Sequence, residues 1–158
     1  MPRKKQWLNF IKSGWNGSEI LISYNKIAEC QAAISSVIDA HFHVRKIWNE
    51  ELVNLQEQIL ALYFDRAGNL IGYRVINSGC MVSCPAYVKL IVSLALVSMA
   101  CSVIIAHNHP SGNLLPSIED QRLTNKVKKA LALIDVDLLD HWIITDKELL
   151  SFCEVGLL

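Results

Sequence analysis

The stretch Ser102-Val103-Ile104-Ile105-Ala106-His107-Asn108-His109-Pro110-Ser111-Gly112 carries the strongest structural signal in the sequence. Ser102 to Ala106 is uncharged and rich in β-branched residues, the pattern of a strand buried on both faces. Two histidines separated by one residue come directly after it. If the strand continues, positions i and i+2 face the same side, so both imidazoles can converge on one point. Pro110, Ser111 and Gly112 then break the strand and leave that point at a sheet edge open to solvent.

Working upstream, Leu90 to Ala106 carries no charge and invites a transmembrane reading. It falls short of the about 20 residues a span requires and contains Ser93, Ser98 and Ser102. Its character also changes midway. Pro85 suits the first turn of a helix running from Ala86 to about Ala100, and the β-branched strand comes next. Further back, Ile59 to Phe64 and Leu70 to Ile76 read as strands joined by the turn Asp65-Arg66-Ala67-Gly68-Asn69, a hairpin. Ile27 to Ile38 reads as a short amphipathic helix, succeeded by a mixed segment from Asp39 to Asn49. Downstream, Ser117 opens a helix with Leu123, Val127, Leu131 and Ile134 at helical spacing, expected to stop at Asp135-Val136-Asp137. Leu138 to Ile144 and Leu149 to Cys153 read as strands around the turn Thr145 to Glu148. The expected organisation is a loosely held arm over residues 1–20 and one α/β domain over residues 21–158.

Composition fits that organisation. The chain has 158 residues, 15 basic and 15 acidic side chains, and is 52% apolar. Disorder requires low hydrophobicity and high net charge, and neither is present. A domain of this length buries roughly 70% of its unfolded surface, enough to fold without a metal staple. Zero formal net charge argues against general binding of nucleic acid, which depends on clustered Lys and Arg. The one basic cluster, Arg3, Lys4 and Lys5, reads as a solvated terminus, and Lys12 interrupts the apolar stretch that a signal peptide would need. Five cysteines, Cys30, Cys80, Cys84, Cys101 and Cys153, with no export signal imply a reducing, cytoplasmic compartment. Cys80 and Cys84 lack a partner pair at finger-like spacing and read as structural thiols.

The chemistry concentrates where the strand ends. His107, His109 and Asp120 form the pattern H-x-H-x10-D, with the carboxylate one turn into the next helix. Two imidazoles and a carboxylate are three ligands for a tetrahedral zinc whose fourth position is open to water. Ser117 and Asp120 also fit a capping box, so each has a purely structural reading. Capping does not account for the H-x-H pair or for the Pro-Ser-Gly break. Asn108 makes the letters H-N-H, but the nuclease motif of that name draws its residues from separated positions and not from a tripeptide. His41 and His43 form another H-x-H, but with no carboxylate at metal spacing they read as part of a surface helix. A water activated at such a site needs a base outside the ligand set. Glu50, Glu51, Glu57 and Glu119 are the candidates. Glu119 should point about 100° away from Asp120 into solvent, whereas Glu57 sits at the threshold of the strand Ile59 to Phe64 and ranks first.

H-x-H-P-S-G followed by P-S-x-x-D resembles the JAMM metalloprotease signature of the JAB/MPN domain, and most closely the RadC-like JAB family of bacteria. The similarity extends through Leu123-Thr124, Leu138-Leu139-Asp140-His141-Trp142-Ile143-Ile144 and the ending Ser151-Phe152-x-Glu154-x-Gly156-Leu157-Leu158, and back to Gln56-Glu57 and Asn69-Leu70-Ile71. The resemblance implies a three-layer α/β/α sandwich with a mixed sheet, of the cytidine-deaminase-like kind, holding one Zn2+. By position it implies His107, His109 and Asp120 as metal ligands, Glu57 as general acid/base, and Ser117 as the serine that steadies a developing oxyanion. Two features depart from the family pattern. Met1 to Asn54 shows no Gly-rich helix-hairpin-helix of the kind full-length relatives use for DNA, so the chain looks like the shorter form. Where many relatives have His-Pro-Arg-Glu, this chain has Cys84-Pro85-Ala86-Tyr87.

The expected function is a cytoplasmic, zinc-dependent metallopeptidase or isopeptidase-like hydrolase acting on a peptide or protein substrate, without direct nucleic-acid binding or membrane insertion. The alternative is a non-catalytic metal-binding module linked to DNA repair or mobile-element biology. A zinc deaminase is disfavoured, because H-x-E and a later P-C-x-x-C are missing.

Overall fold

The structure is a computed structural model, and it describes Val44, Arg45, Trp48, residues 51–79 and residues 88–158. The arm over residues 1–20, the helix expected at Ile27 to Ile38, His41, His43, Glu50, Cys30, Cys80 and Cys84 lie outside the described residues.

Among the described residues, five strands and two helices succeed one another as β1 (Gln58–Phe64), β2 (Leu70–Ser78), α1 (Val88–Val97), β3 (Ser102–Asn108), α2 (Ile118–Ala132), β4 (Asp137–Ile144) and β5 (Leu149–Ser151). They form one mixed sheet in the order β2-β1-β3-β4-β5, in which only β3 and β4 run parallel. A parallel pair cannot be closed by a tight turn, and α2 supplies the crossover between them. The expected α/β class with a mixed sheet is what the chain adopts.

β3 is buried at all seven positions, in keeping with the uncharged, β-branched run Val103 to Ala106 at its centre. Its odd-numbered residues Val103 and Ile105 join Ile59, Ala61 and Tyr63 of β1 beneath α1 (Ile91, Ala95) and α2 (Val127, Leu131). The even-numbered Ile104 and Ala106 join Leu60, Leu62 and Phe64 against Trp142, Ile144, Val44, Trp48 and Val53. Each fully buried aliphatic side chain here contributes about 1.5–3 kcal/mol, so β3 is a rigid platform for the histidines at its end. Among the described residues no helix is long and apolar enough to cross a membrane, because Leu90 to Ala106 divides between α1 and β3.

Several boundaries differ from the sequence reading. α1 ends at Val97, short of Ala100, because Met99 turns left-handed at φ 53° and the Ala100 N–H closes back on the Ala95 carbonyl. α2 ends at Ala132, not at Asp135: the Ile134 and Val136 amides both return to the Leu131 carbonyl, and Asp135 is left-handed at φ 55°. β5 stops at Ser151 because the Cys153 amide is taken by the Asp140 carboxylate. β3 runs beyond Ala106 through Asn108, and the His109 amide still donates to the Ile144 carbonyl at 2.9 Å.

Candidate metal centre

The continuation of β3 carries out the i, i+2 geometry expected of H-x-H. His107 succeeds Val103 and Ile105 on the face under α2, and His109 succeeds His107. The chain then reverses: the Gly112 N–H donates to the His109 carbonyl at 3.0 Å, with Gly112 at φ 74°, a conformation that favours glycine. This turn leads into Ser117, the N-cap of α2, and so delivers Asp120 to the end of β3. The Nε2 atoms of His107 and His109 lie 2.9 Å apart. Asp120 Oδ1 lies 3.2 Å from His107 Nε2, and Oδ2 lies 3.6 Å from His109 Nε2.

These separations suit a cation. Tetrahedral zinc with bonds of about 2.0–2.1 Å places its donors about 3.3 Å apart. The three observed distances fall on either side of that value. The histidine side chains are 1% and 18% exposed and Asp120 is 13% exposed, so the group is enclosed by protein at His107 and reached by solvent past His109 and Asp120. His107, His109 and Asp120 are the one group of three or more potential ligands found among the described residues.

Capping leaves Asp120 able to face the histidines. Its Oδ2 accepts from the Ser117 amide at 2.8 Å and from the Ser117 hydroxyl at 2.7 Å, while Ser117 Oγ accepts from the Asp120 amide at 3.1 Å. The box leaves Oδ1 facing His107, so it orients the carboxylate it also caps with. Burial works against ionising Asp120, but hydrogen bonds from His107, His109 and Ser117 hold it well below the usual carboxylate range. The facing Asp120 carboxylate in turn raises the pKa of His109, against burial. The centre therefore attracts positive charge, whether a proton or a metal ion.

Glu57 reaches the same edge by register. β1 is antiparallel to β3 with Ile59 opposite His107, and Ile59 shares the α2-side face. Two residues earlier, Glu57 lies on that same face, beyond the last pair and level with His109. It is half-buried, and burial raises its pKa while the neighbouring His107 and His109 lower it and Asp120 raises it. Asn108 fixes this position. On the opposite face from the histidines, its Nδ2 donates to the Val53 and Gln56 carbonyls at 2.7 and 2.9 Å, and its Oδ1 accepts from the Gln58 amide at 2.8 Å. Both chain neighbours of Glu57 are thus tied to the residue between the two histidines. Glu119 behaves as expected, 77% exposed and paired with Arg122, and Glu51 is exposed.

Sequence reasoning misses three residues here. Asn108 reads there only as the middle letter of H-N-H, although strand alternation alone places it opposite the histidines. His141 and Thr124 enter only through the resemblance. His141 is fully buried, its Nε2 lies 2.8 Å from His107 Nδ1, and its Nδ1 lies 2.7 Å from Thr124 Oγ1. Burial, and then His107, hold its pKa well below the usual histidine range. The signal is a single histidine inside the apolar run Leu138 to Ile144. Next to it, the buried Asp140 carboxylate accepts from the His141 and Cys153 amides, Trp142 Nε1 and Ser151 Oγ, tying β4 to the chain beyond β5.

Comparison with known proteins agrees with this architecture. Residues 28–157 match the family described as RadC-like JAB domain. A UPF0758 protein of Shewanella baltica is 43% identical over 100 residues, covering 63% of this chain and 44% of that protein. A UPF0758 protein of Idiomarina loihiensis is 43% identical over 103 residues (65% and 46%), and one of Neisseria meningitidis is 42% identical over 102 residues (65% and 45%). The aligned part spans less than half the length of these curated relatives. With the family matched across most of its length and the two histidines and aspartate gathered at one strand end, the chain belongs to the RadC-like JAB domain family.

Proposed function

We propose that the chain is a zinc-dependent hydrolase of the JAMM type that cleaves an amide bond in a peptide or protein. The observation that carries this reading is the joint placement of His107, His109 and Asp120 at donor spacing with Glu57 on the same face of the same edge. An N2O donor set with one open side suits zinc in a catalytic role. When bound, zinc would polarise a substrate carbonyl and make water a nucleophile near neutral pH.

The chain's own groups supply the rest. Glu57, half-buried and raised in pKa, takes the proton from the attacking water and returns it to the leaving nitrogen. Ser117, exposed at the mouth, turns its hydroxyl from Asp120 Oδ2 to the oxygen on which charge develops. Leu115 and Ile118, both largely exposed on either side of Ser117, offer apolar surface to a peptide. The test is to incubate zinc-loaded protein with a peptide library that includes lysine-linked isopeptides and to read new amino termini by mass spectrometry. Cleavage that a chelator abolishes and zinc restores is expected. No cleavage from protein with one zinc bound would overturn the hydrolase reading in favour of a metal-binding module.

Zinc affinity should rise with pH. His109 holds a proton above its ordinary pKa because Asp120 faces it, and zinc must displace that proton. Below the raised pKa, apparent affinity should climb about tenfold per pH unit, one proton being released per ion, and it should level off above it. Competition titrations from about pH 5 to 8 measure the slope. A flat profile would show that His109 is not a ligand.

A further inference from the structure

Asp120, Thr124, His141 and His107 are linked in a chain of contacts that leaves one ligand residue and returns to another. Thr124 Oγ1 lies 2.7 Å from the Asp120 backbone carbonyl and 2.7 Å from His141 Nδ1, and His141 Nε2 lies 2.8 Å from His107 Nδ1. The protons on this chain can be assigned from the heavy atoms alone. A backbone carbonyl only accepts, so the single hydroxyl proton of Thr124 goes to Asp120. Thr124 Oγ1 must then accept from His141, which places a proton on His141 Nδ1. A second proton on His141 would create a fully buried imidazolium against the ring of Phe152, whose centroid is 4.5 Å away, with no carboxylate in hydrogen-bond contact. His141 Nε2 is therefore an acceptor, and His107 Nδ1–H donates to it.

We infer that His141 and Thr124 are positioning residues that lock a proton on His107 Nδ1 and so reserve His107 Nε2 for a cation. His109 reaches the same state by a shorter route, since its Nδ1 lies 2.5 Å from the Asn113 carbonyl and must donate to it. The two ligands differ in what holds them. His109 is fixed by the loop at its C-terminal side, whereas His107 is fixed from β4 and α2, so the crossover helix and the parallel strand pair jointly set one ligand's tautomer. A hydrogen-bonded partner of this kind raises ligand basicity and fixes the ring's orientation, and losing it typically costs 10- to 100-fold in metal affinity.

The inference rests on the metal reading above, and the test separates the two. Imidazole 15N NMR of the metal-free protein should show His107 Nδ1 protonated, with an N–H···N scalar coupling to His141 Nε2. His141→Phe keeps the ring packing against Phe152 but removes the acceptor, and Thr124→Val keeps the shape but removes the oxygen. Each should weaken zinc binding about 10- to 100-fold in a chelator competition. His141→Gln, which can still accept from His107, and Thr124→Ser should recover most of that loss. Thermal melts of all four variants without metal identify any that fail to fold, and the conservative pair then carries the comparison. A proton on His141 Nε2, or wild-type zinc affinity in both His141→Phe and Thr124→Val, would overturn the inference. If the coupling is present in a wild-type protein that binds no zinc, the proton assignment stands and the metal reading falls.

Discussion

Glu57→Gln should lower amide hydrolysis by about 10²- to 10⁴-fold, the usual contribution of a positioned proton carrier, while zinc still binds. The substitution is chosen for its geometry. Glutamine keeps the shape of the side chain, and the backbone on either side stays clamped through Gln56 and Gln58 by Asn108. Only the capacity to take up and return a proton is removed. Because burial raises the Glu57 pKa in the metal-free protein while the imidazoles opposite lower it, a cation at the centre should pull it back down. The acid limb of the activity profile should accordingly move or vanish in Glu57→Gln. Peptide cleavage at saturating zinc measures the effect, and unchanged turnover would remove Glu57 from the mechanism.

His109→Ala should weaken zinc binding by more than the roughly 100-fold upper range seen when a ligand's hydrogen-bonded partner is lost, because a donor itself disappears. His109 is a better probe than His107. It is 18% exposed beyond the last strand pair, whereas His107 is 1% exposed and packed under α2, where truncation would also open a cavity. The metal-free His109→Ala protein should therefore lose less stability than His107→Ala, its loss being confined to the contacts with Asp120 and the Asn113 carbonyl. Calorimetric titration with zinc, paired with a melt, distinguishes a lost ligand from a lost fold.

How much of the fold and the site is legible in the sequence depends on how local each cause is. The strands β1, β3 and β4, the hairpin turn and the start of α2 come from short-range signals: β-branched runs, Asp65 with Gly68, and the Ser117 to Asp120 box. The ends of α1 and α2 escape such signals because Met99 and Asp135, not glycines, adopt the left-handed turn, and their residue types do not announce it. Within the site, H-x-H-x10-D is readable because both histidines and the aspartate come from adjoining elements. His141 is not, because it meets His107 across 34 residues of sequence, and the Val53 carbonyl meets Asn108 across 55. Only the sheet register brings those pairs together. Glu57 stands between the two cases: its rank as the candidate base comes from its place before a buried strand, but its face becomes definite only with Ile59 opposite His107.

The proposed hydrolase requires His107, His109 and Asp120 to hold a metal ion together. Diffraction from zinc-loaded crystals on both sides of the zinc absorption edge shows whether they do. A single anomalous peak is expected about 2.0–2.2 Å from His107 Nε2, His109 Nε2 and an Asp120 oxygen, with a fourth position facing solvent beside Glu57. An empty centre at saturating zinc, or a peak held by other residues, would rule out this metal site.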